Sequence, residues 1–140
     1  MDLENQFTVS QVIDPVVVTA DALSSVINQA GFRDVTVAVA VGESGDTLSG
    51  SVYIELELQE SDDDSTYTAC ANADITNSVT GTNVGTFALI DAAAEDDVVK
   101  MCKYLGNKQY VKVNVNVTGT HTNGTPIGVL ALQSGENYLP

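Results

Sequence analysis

The sequence predicts an all-β fold: a single antiparallel β-sandwich of jelly-roll type with at most one or two short helical turns. Three observations carry this. Apolar residues recur with period two along three long runs. β-branched residues dominate those runs, as suits a pleated, half-buried surface. Clusters of Gly, Asn, Asp and Ser separate many short strand patterns at regular intervals, which is sandwich or jelly-roll punctuation.

The three runs are explicit. Val35, Val37, Val39 and Val41 alternate with Thr36, Ala38 and Ala40. Val52, Ile54, Leu56 and Leu58 alternate with Tyr53, Glu55, Glu57 and Gln59, and Val111, Val113, Val115 and Val117 with Lys112, Asn114, Asn116 and Thr118. Successive strand side chains point to opposite faces, so each run presents one aliphatic and one polar face. That pattern belongs to antiparallel sheets covered on one side only.

Further strands are expected at 7–13, 16–19, 25–28, 67–71, 86–90, 98–104 and 126–132. Turn signals lie at Gly31, 42–46, 62–65, 81–85, 106–107 and 123–124. Leu105-Gly106-Asn107-Lys108 reads as a tight hairpin, since Gly and Asn tolerate positive φ. Asp14-Pro15 interrupts the first strand pattern, as in an edge strand or chain-end arm over 1–20. Residues 133–140 read as a tail.

Two segments are helix candidates. Over 20–30, Gly31 would serve as a C-cap, although Val26-Ile27 suits a strand equally. Over 91–97, Asp91 could cap about one turn, but strand residues follow at once, so a turn or short 3₁₀ piece is expected.

Size and charge bound the function. The chain has 140 residues, enough for one core that buries roughly 68–70% of the unfolded surface. Hydrophobic residues make up 44%, which excludes a disordered chain. Apolar runs are only a few residues long, against the ~20 a membrane helix needs. The acidic N-terminus lacks the basic region of a secretory signal. Nineteen acids against five bases give a net charge of −14. Affinity for nucleic acid and for anionic membranes comes from Lys and Arg, so neither partner is expected. The charge is uneven: residues 1–70 hold 13 acids and one base, Arg33, while all four lysines lie between 100 and 112.

Little in the sequence points to catalysis or cofactors. Cys70 and Cys102 read as buried free thiols, with a 70–102 bridge left open. Glu60-Ser61-Asp62-Asp63-Asp64 could offer oxygens to Ca²⁺, but it lacks the spaced ligands of an EF-hand and reads as a solvated hairpin tip. Asp91, Glu95, Asp96 and Asp97 read the same way. His121 stands alone, in what looks like an exposed loop, without the partners of a catalytic constellation. No cofactor is expected, and the chain reads as non-enzymatic. Leu3, Phe7, Tyr138 and Leu139 are apolar groups near the termini that either close the domain's own core or anchor on neighbouring subunits.

The second half resembles small β-rich virion proteins of tailed bacteriophages, typically encoded near the major capsid protein. The resemblance covers roughly residues 50–135 and rests on three stretches. Leu56 to Tyr67 is similar to a strand, a Glu-Ser-Asp-Asp turn and an aromatic residue. Val98 to Val115, with Tyr104-Leu105-Gly106-Asn107-Lys108-Gln109-Tyr110-Val111, is similar to a tyrosine, small turn, basic residue, aromatic and valine hairpin. Thr118 to Leu132, with Gly124-Thr125-Pro126-Ile127, is similar to a closing strand pair. The chain departs from the pattern at Asp64-Ser65, where glycine often follows the paired acids, and in the acidity of its N-terminal half.

The resemblance implies a capsid decoration (cement) protein on the outer surface of a phage head, binding the major capsid protein across capsomer junctions. It implies self-association too, for example as a trimer, and it carries over no active site. Lys100, Lys103, Lys108 and Lys112 would then be cationic contacts to an acidic shell. Two alternatives remain beside it. One is a head–tail connector, tail terminator or tail-tube component. The other is a carbohydrate- or host-binding β-sandwich, which the absence of Trp disfavours.

Overall fold

A computed structural model describes residues 6–135. Leu3, Tyr138 and Leu139 lie outside the described residues, as do the first part of the expected arm and most of the expected tail.

Among the described residues, ten strands form two antiparallel sheets. They are β1 (Phe7–Val18), β2 (Ala22–Leu23), β3 (Ile27–Asn28), β4 (Asp34–Val41), β5 (Tyr53–Ser61), β6 (Thr68–Ala69), β7 (Thr86–Ile90), β8 (Val98–Tyr104), β9 (Tyr110–Thr118) and β10 (Thr125–Ser134). Sheet A runs β1-β10-β4-β8. Sheet B runs β2-β9-β5-β6, with β3 also on β9 and β7 also on β5. The short pairs β2/β3 and β6/β7 each act as one broken strand. Counted so, the orders become 1-8-3-6 and 2-7-4-5, the two interleaved Greek keys of a jelly roll. The fold is therefore an all-β antiparallel sandwich, as the alternation predicts.

The core lies where the period-two pattern puts it. Val35, Val37, Val39 and Val41 of β4 face Ile54, Leu56 and Leu58 of β5, Val111, Val113 and Val115 of β9, and Ile127, Val129 and Ala131 of β10; all are buried. A buried aliphatic side chain of this size contributes about 1.5–3 kcal/mol relative to exposure. Register therefore fixes the structure, because a one-residue slip of any of these strands would exchange its core for its solvent face.

Both open sides of the sandwich are stitched. On one, Ser24 N donates to Val113 O of sheet B (2.9 Å) and Ser25 N to Val12 O of sheet A (2.9 Å). On the other, the stretch after β6 runs along β8: Thr76 N donates to Lys103 O (3.0 Å), Lys103 N to Thr76 Oγ1 (2.8 Å) and Asn77 Nδ2 to Met101 O (2.9 Å). These bonds occupy edge groups that would otherwise invite pairing.

Four expectations need correction. Residues 20–30 are not helical: Asp21 and Ser24 carry oxygens that accept Val117 N (2.7 Å) and Val113 N (2.9 Å), binding the segment to β9. The first two strand patterns are one strand, β1, which passes Asp14-Pro15 through register shifts and stays paired to β10. Leu105–Lys108 is not a hairpin, since β8 belongs to sheet A and β9 to sheet B, so the turn crosses between sheets. Gly106 is also not at positive φ. Its role is space, because a Cβ there would sit 2.3 Å from the Tyr104 hydroxyl. His121 is buried, not exposed. The 91–97 segment matches expectation, with one 3₁₀ turn at Ala93–Glu95.

Candidate functional site

The four lysines do not gather into one patch. Lys103 pairs with Asp34 (3.2 Å), Lys100 with Glu95 (3.4 Å) and Lys108 with Asp62 (3.7 Å). Lys112 lies on the outer face of sheet B, its ammonium 4.5 Å from the centre of the Tyr67 ring. All four thus have partners within the chain, on both sheets and on the turn between them. Phe7 is half-buried at the start of β1, opposite Ser134.

The surface that does assemble is the outer face of sheet A. Across-strand partners share a face in antiparallel pairs. The register aligns Gln11–Leu130–Ala38–Met101 in one row and Val9–Leu132–Thr36–Lys103 in the next. A third row joins Gly128, Ala40 and Val99, and Val17 lies opposite Pro126. Val99 is 65% exposed, Val9 50%, Met101 47% and Leu130 40%. Ala38 and Ala40 of β4 form a low floor between the Leu130–Leu132 ridge of β10 and the Val99–Met101 ridge of β8, and Pro15 of β1 packs over Gly128, where a Cβ would meet its ring at 3.3 Å. Charge is nearly absent here: Asp34 and Lys103 neutralise each other at one end, and Asp14 on β1 adds a single acid. Alternation of small residues hid this surface. Thr36-Ala38-Ala40 reads as an ordinary solvent face until the register sets it between Leu130 and Met101.

Sheet B presents the opposite character. Its outer face carries Tyr53, Glu55, Glu57, Gln59, Lys112, Asn114 and Asn116. Glu55 and Glu57, expected to face water, are buried. The loop before β7 folds over Glu55, whose carboxylate accepts Asn83 Nδ2 (3.1 Å) and Asn83 N (3.3 Å), with Asn116 Nδ2 at 3.5 Å. Beside it lies a cavity of about 170 Å³, reached by Tyr53, Thr82, Leu89 and Asp91.

At one end of the sandwich, Asp46 clasps the loop between β9 and β10. It accepts Gly124 N (2.8 Å), Asn123 N (2.9 Å) and Thr122 N (3.2 Å). The Asn123 N–H above all holds this carboxyl below its ordinary value, against the opposing effect of burial, with the Gly124 and Thr122 N–H groups adding to it. His121 Nε2 contacts Thr118 O (3.0 Å), while its Nδ1 faces Asp46 Oδ2 at 3.7 Å without a hydrogen bond.

The acidic turn after β5 is a hairpin tip that closes on itself. Asp63 Oδ1 accepts Ser65 N and Thr66 N (2.9 Å each) and the Ser61 hydroxyl (2.9 Å), and the Tyr67 hydroxyl donates to Asp64. The Thr66 and Ser65 N–H groups hold the Asp63 carboxyl low. These oxygens cap the turn and do not converge on a common centre. Among the described residues, no group of three or more His, Cys, Asp or Glu side chains is placed to hold a metal ion. Cys70 and Cys102 are free and buried.

No protein-family model and no curated protein matches the chain. One solved structure with a detectable likeness contains the CBM22-1 and GH10 modules of Clostridium thermocellum endo-1,4-β-D-xylanase 10B, complexed with xylohexaose. It is 12% identical, with a TM-score of 0.41, over 96% of this chain and 27% of that one. The chain thus spans about a quarter of that protein's length.

Proposed function

We propose that this chain is a non-enzymatic virion structural protein: a capsid decoration protein that binds the outside of a phage head across capsomer junctions and stabilises it. The observation that carries the reading is the apolar outer face of sheet A. Contiguous exposed apolar surface on an otherwise strongly acidic body marks a place where a neighbour sits. The rest of the surface suits an outward role, because a net charge of −14 keeps particles apart.

The mechanism is linkage. A ligand that binds only the assembled lattice stabilises that lattice by its own binding free energy. Repetition across the shell adds avidity without any new kind of contact. Nothing in this role requires a reacting group; Asp46 and Asp63 serve as acceptors for the backbone N–H groups of their loops.

Stoichiometry in purified particles tests the reading. The account expects a copy number that scales with the shell's subunits, and shells that bind added chain saturably. A copy number fitting one ring at one vertex would favour a connector or tail component. A second reading, saccharide binding, draws on the cavity beside Glu55. It expects heat release on titration with monosaccharides that is lost in Glu55→Gln.

A further inference from the structure

We infer that His121 and Asp46 form a proton-operated latch at one end of the sandwich. Uptake of one proton from solvent at His121 turns their 3.7 Å contact into a hydrogen bond and fastens the loop between β9 and β10.

Both neighbours of the imidazole are acceptors. Nε2 lies 3.0 Å from Thr118 O, and Nδ1 faces Asp46 Oδ2 at 3.7 Å, without a hydrogen-bond partner among the described residues. The ring is fully enclosed, with its side chain 0% exposed. A neutral imidazole has one N–H and one lone pair. With the proton on Nε2, the Nδ1 lone pair opposes the carboxylate. With the proton on Nδ1, the Nε2 lone pair opposes the carbonyl. Only the imidazolium, which carries an N–H on each nitrogen, satisfies both. The observed spacing is that of the neutral ring with Nε2–H: a bond on one side and a stand-off on the other. A second proton, on Nδ1, would draw the pair towards the ~2.7–2.9 Å of a charge-assisted bond.

The charged groups packed around this end are acids. Asp46 and Glu43 stand on the loop after β4, and Asp96 and Asp97 on the loop before β8; all four line one cavity of about 540 Å³. Asp21 binds Val117 N (2.7 Å), one residue before Thr118. The end of β1 brings only Val17 and Thr19 to the loop, beside Gly124. Three lysines pair with Glu95, Asp34 and Asp62, and Lys112 stands over Tyr67. Arg33 lies at the other end of β10, its N–H on Ser134 O (3.0 Å). No cation thus competes with His121 for the Asp46 carboxylate among the described residues.

The rest of this end is already one hydrogen-bonded unit. Asp46 holds the N–H groups of Thr122, Asn123 and Gly124. Gly45 N donates to Gly124 O (2.9 Å), and Asn123 Nδ2 to Gly45 O (2.9 Å). Asp46 N donates to Ser44 Oγ (3.2 Å), and Ser44 N to Asp96 Oδ2 (2.8 Å). The ring, anchored to β9 through Thr118, is parted from that unit by the single gap at Asp46. Asp46 stays ionised across the histidine range, since its carboxyl titrates below 3.8. The added hold is therefore present on the acid side of roughly pH 5–8 and lost as the pH rises through that range.

His121 is the sole histidine, so its ring is its own probe. A long-range nitrogen–proton correlation spectrum of the full chain, from pH 8.5 to 4.5, reads both nitrogens. Nε2–H alone is expected at high pH and an N–H on each nitrogen at low pH. Hydrogen exchange, corrected for the intrinsic rate, follows the Thr122, Asn123 and Gly124 amides over the same range. Their protection is expected to rise about ten-fold or more as the ring charges, as one charge-assisted bond implies. His121→Phe keeps a ring in place and is expected to abolish that rise. A ring still neutral at pH 5, a neutral ring protonated on Nδ1, protection that ignores the ring's charge, or an equal rise in His121→Phe overturns the proposal. Where His121→Phe fails to fold, the spectrum and the protection of the parent chain decide it.

Discussion

Tyr104 and Glu60 tie the two sheets together. The Tyr104 hydroxyl, at the end of β8 in sheet A, donates to Glu60 Oε1 on β5 in sheet B at 2.6 Å and accepts Lys108 N at 3.2 Å. Burial, then the Glu60 carboxylate, push the phenol's pKa above its ordinary value, so it stays a donor at any ordinary pH. One buried side chain thus fixes where the chain leaves sheet A and how it enters sheet B.

Removing that hydroxyl leaves the Glu60 oxygen and the Lys108 N–H without their shared partner. Tyr104→Phe is expected to cost about 1–3 kcal/mol, the usual range for a charge-assisted bond with a stranded acceptor. Urea unfolding at pH 7 measures it, and an unchanged midpoint would contradict the bridging role.

Gly106 is required for room. A methyl group there would overlap the Tyr104 hydroxyl and ring, which are buried and cannot swing away. Gly106→Ala is expected to destabilise by about 1–3 kcal/mol. In Tyr104→Phe the same substitution should cost less, because the hydroxyl it meets is gone. A double-mutant cycle reads this coupling.

Acid should loosen the chain through Asp46 and Asp63. Both carboxyls titrate below their ordinary value of 3.8 in the folded state. Each therefore adds stability that is fully present above about pH 4. That stability is lost as the pH falls from there through the lower folded value. Asp46→Asn is expected to lower the urea midpoint at pH 7 and to flatten its fall below pH 4. A variant as acid-sensitive as the parent would contradict the clasp.

The thiols should be silent in the folded chain. Burial pushes Cys102 up to about 12 and Cys70 higher still, with Glu60 adding to the effect on Cys70. A thiolate is the reactive form. Ellman's reagent at pH 8 is expected to titrate neither cysteine in native protein and both in denaturant; rapid labelling of the native chain would contradict their burial.

Much of the fold was legible because period two is a direct record of burial. Val35 to Val41, Ile54 to Leu58 and Val111 to Val115 each named their own inner face, and β7 and β8 fall on the expected residues. The pairing was not legible. Leu105–Lys108 has hairpin chemistry, yet β8 and β9 lie in different sheets, and only the whole strand order reveals the crossing. Residues 20–30 left helix and strand open, since Gly31 suits a C-cap while Val26-Ile27 suits a strand; the Asp21 and Ser24 oxygens, bonded to β9 96 and 89 residues on, tie the segment to the sheet. His121 misled: a string of Thr, Asn and Gly reads as solvent-exposed, but Asp46 draws that loop inward.

The interaction surface was legible only in part. Exposed Val99 and Met101 alternate with half-buried Lys100 and buried Cys102, a visible break from the usual polar outer face. Ala38 and Ala40 gave no signal alone, since small residues are neutral on either face. The lysines, clustered within thirteen positions of sequence, take four separate partners in space.

An image reconstruction of intact particles, with this chain traced, tests the central claim most directly. The account predicts the chain on the outer surface, repeated with the lattice, with Val99, Met101 and Leu130 covered by a neighbour. Particles that carry the chain at a single vertex or lack it, or a lattice-bound chain whose sheet A face looks into solvent, would contradict it.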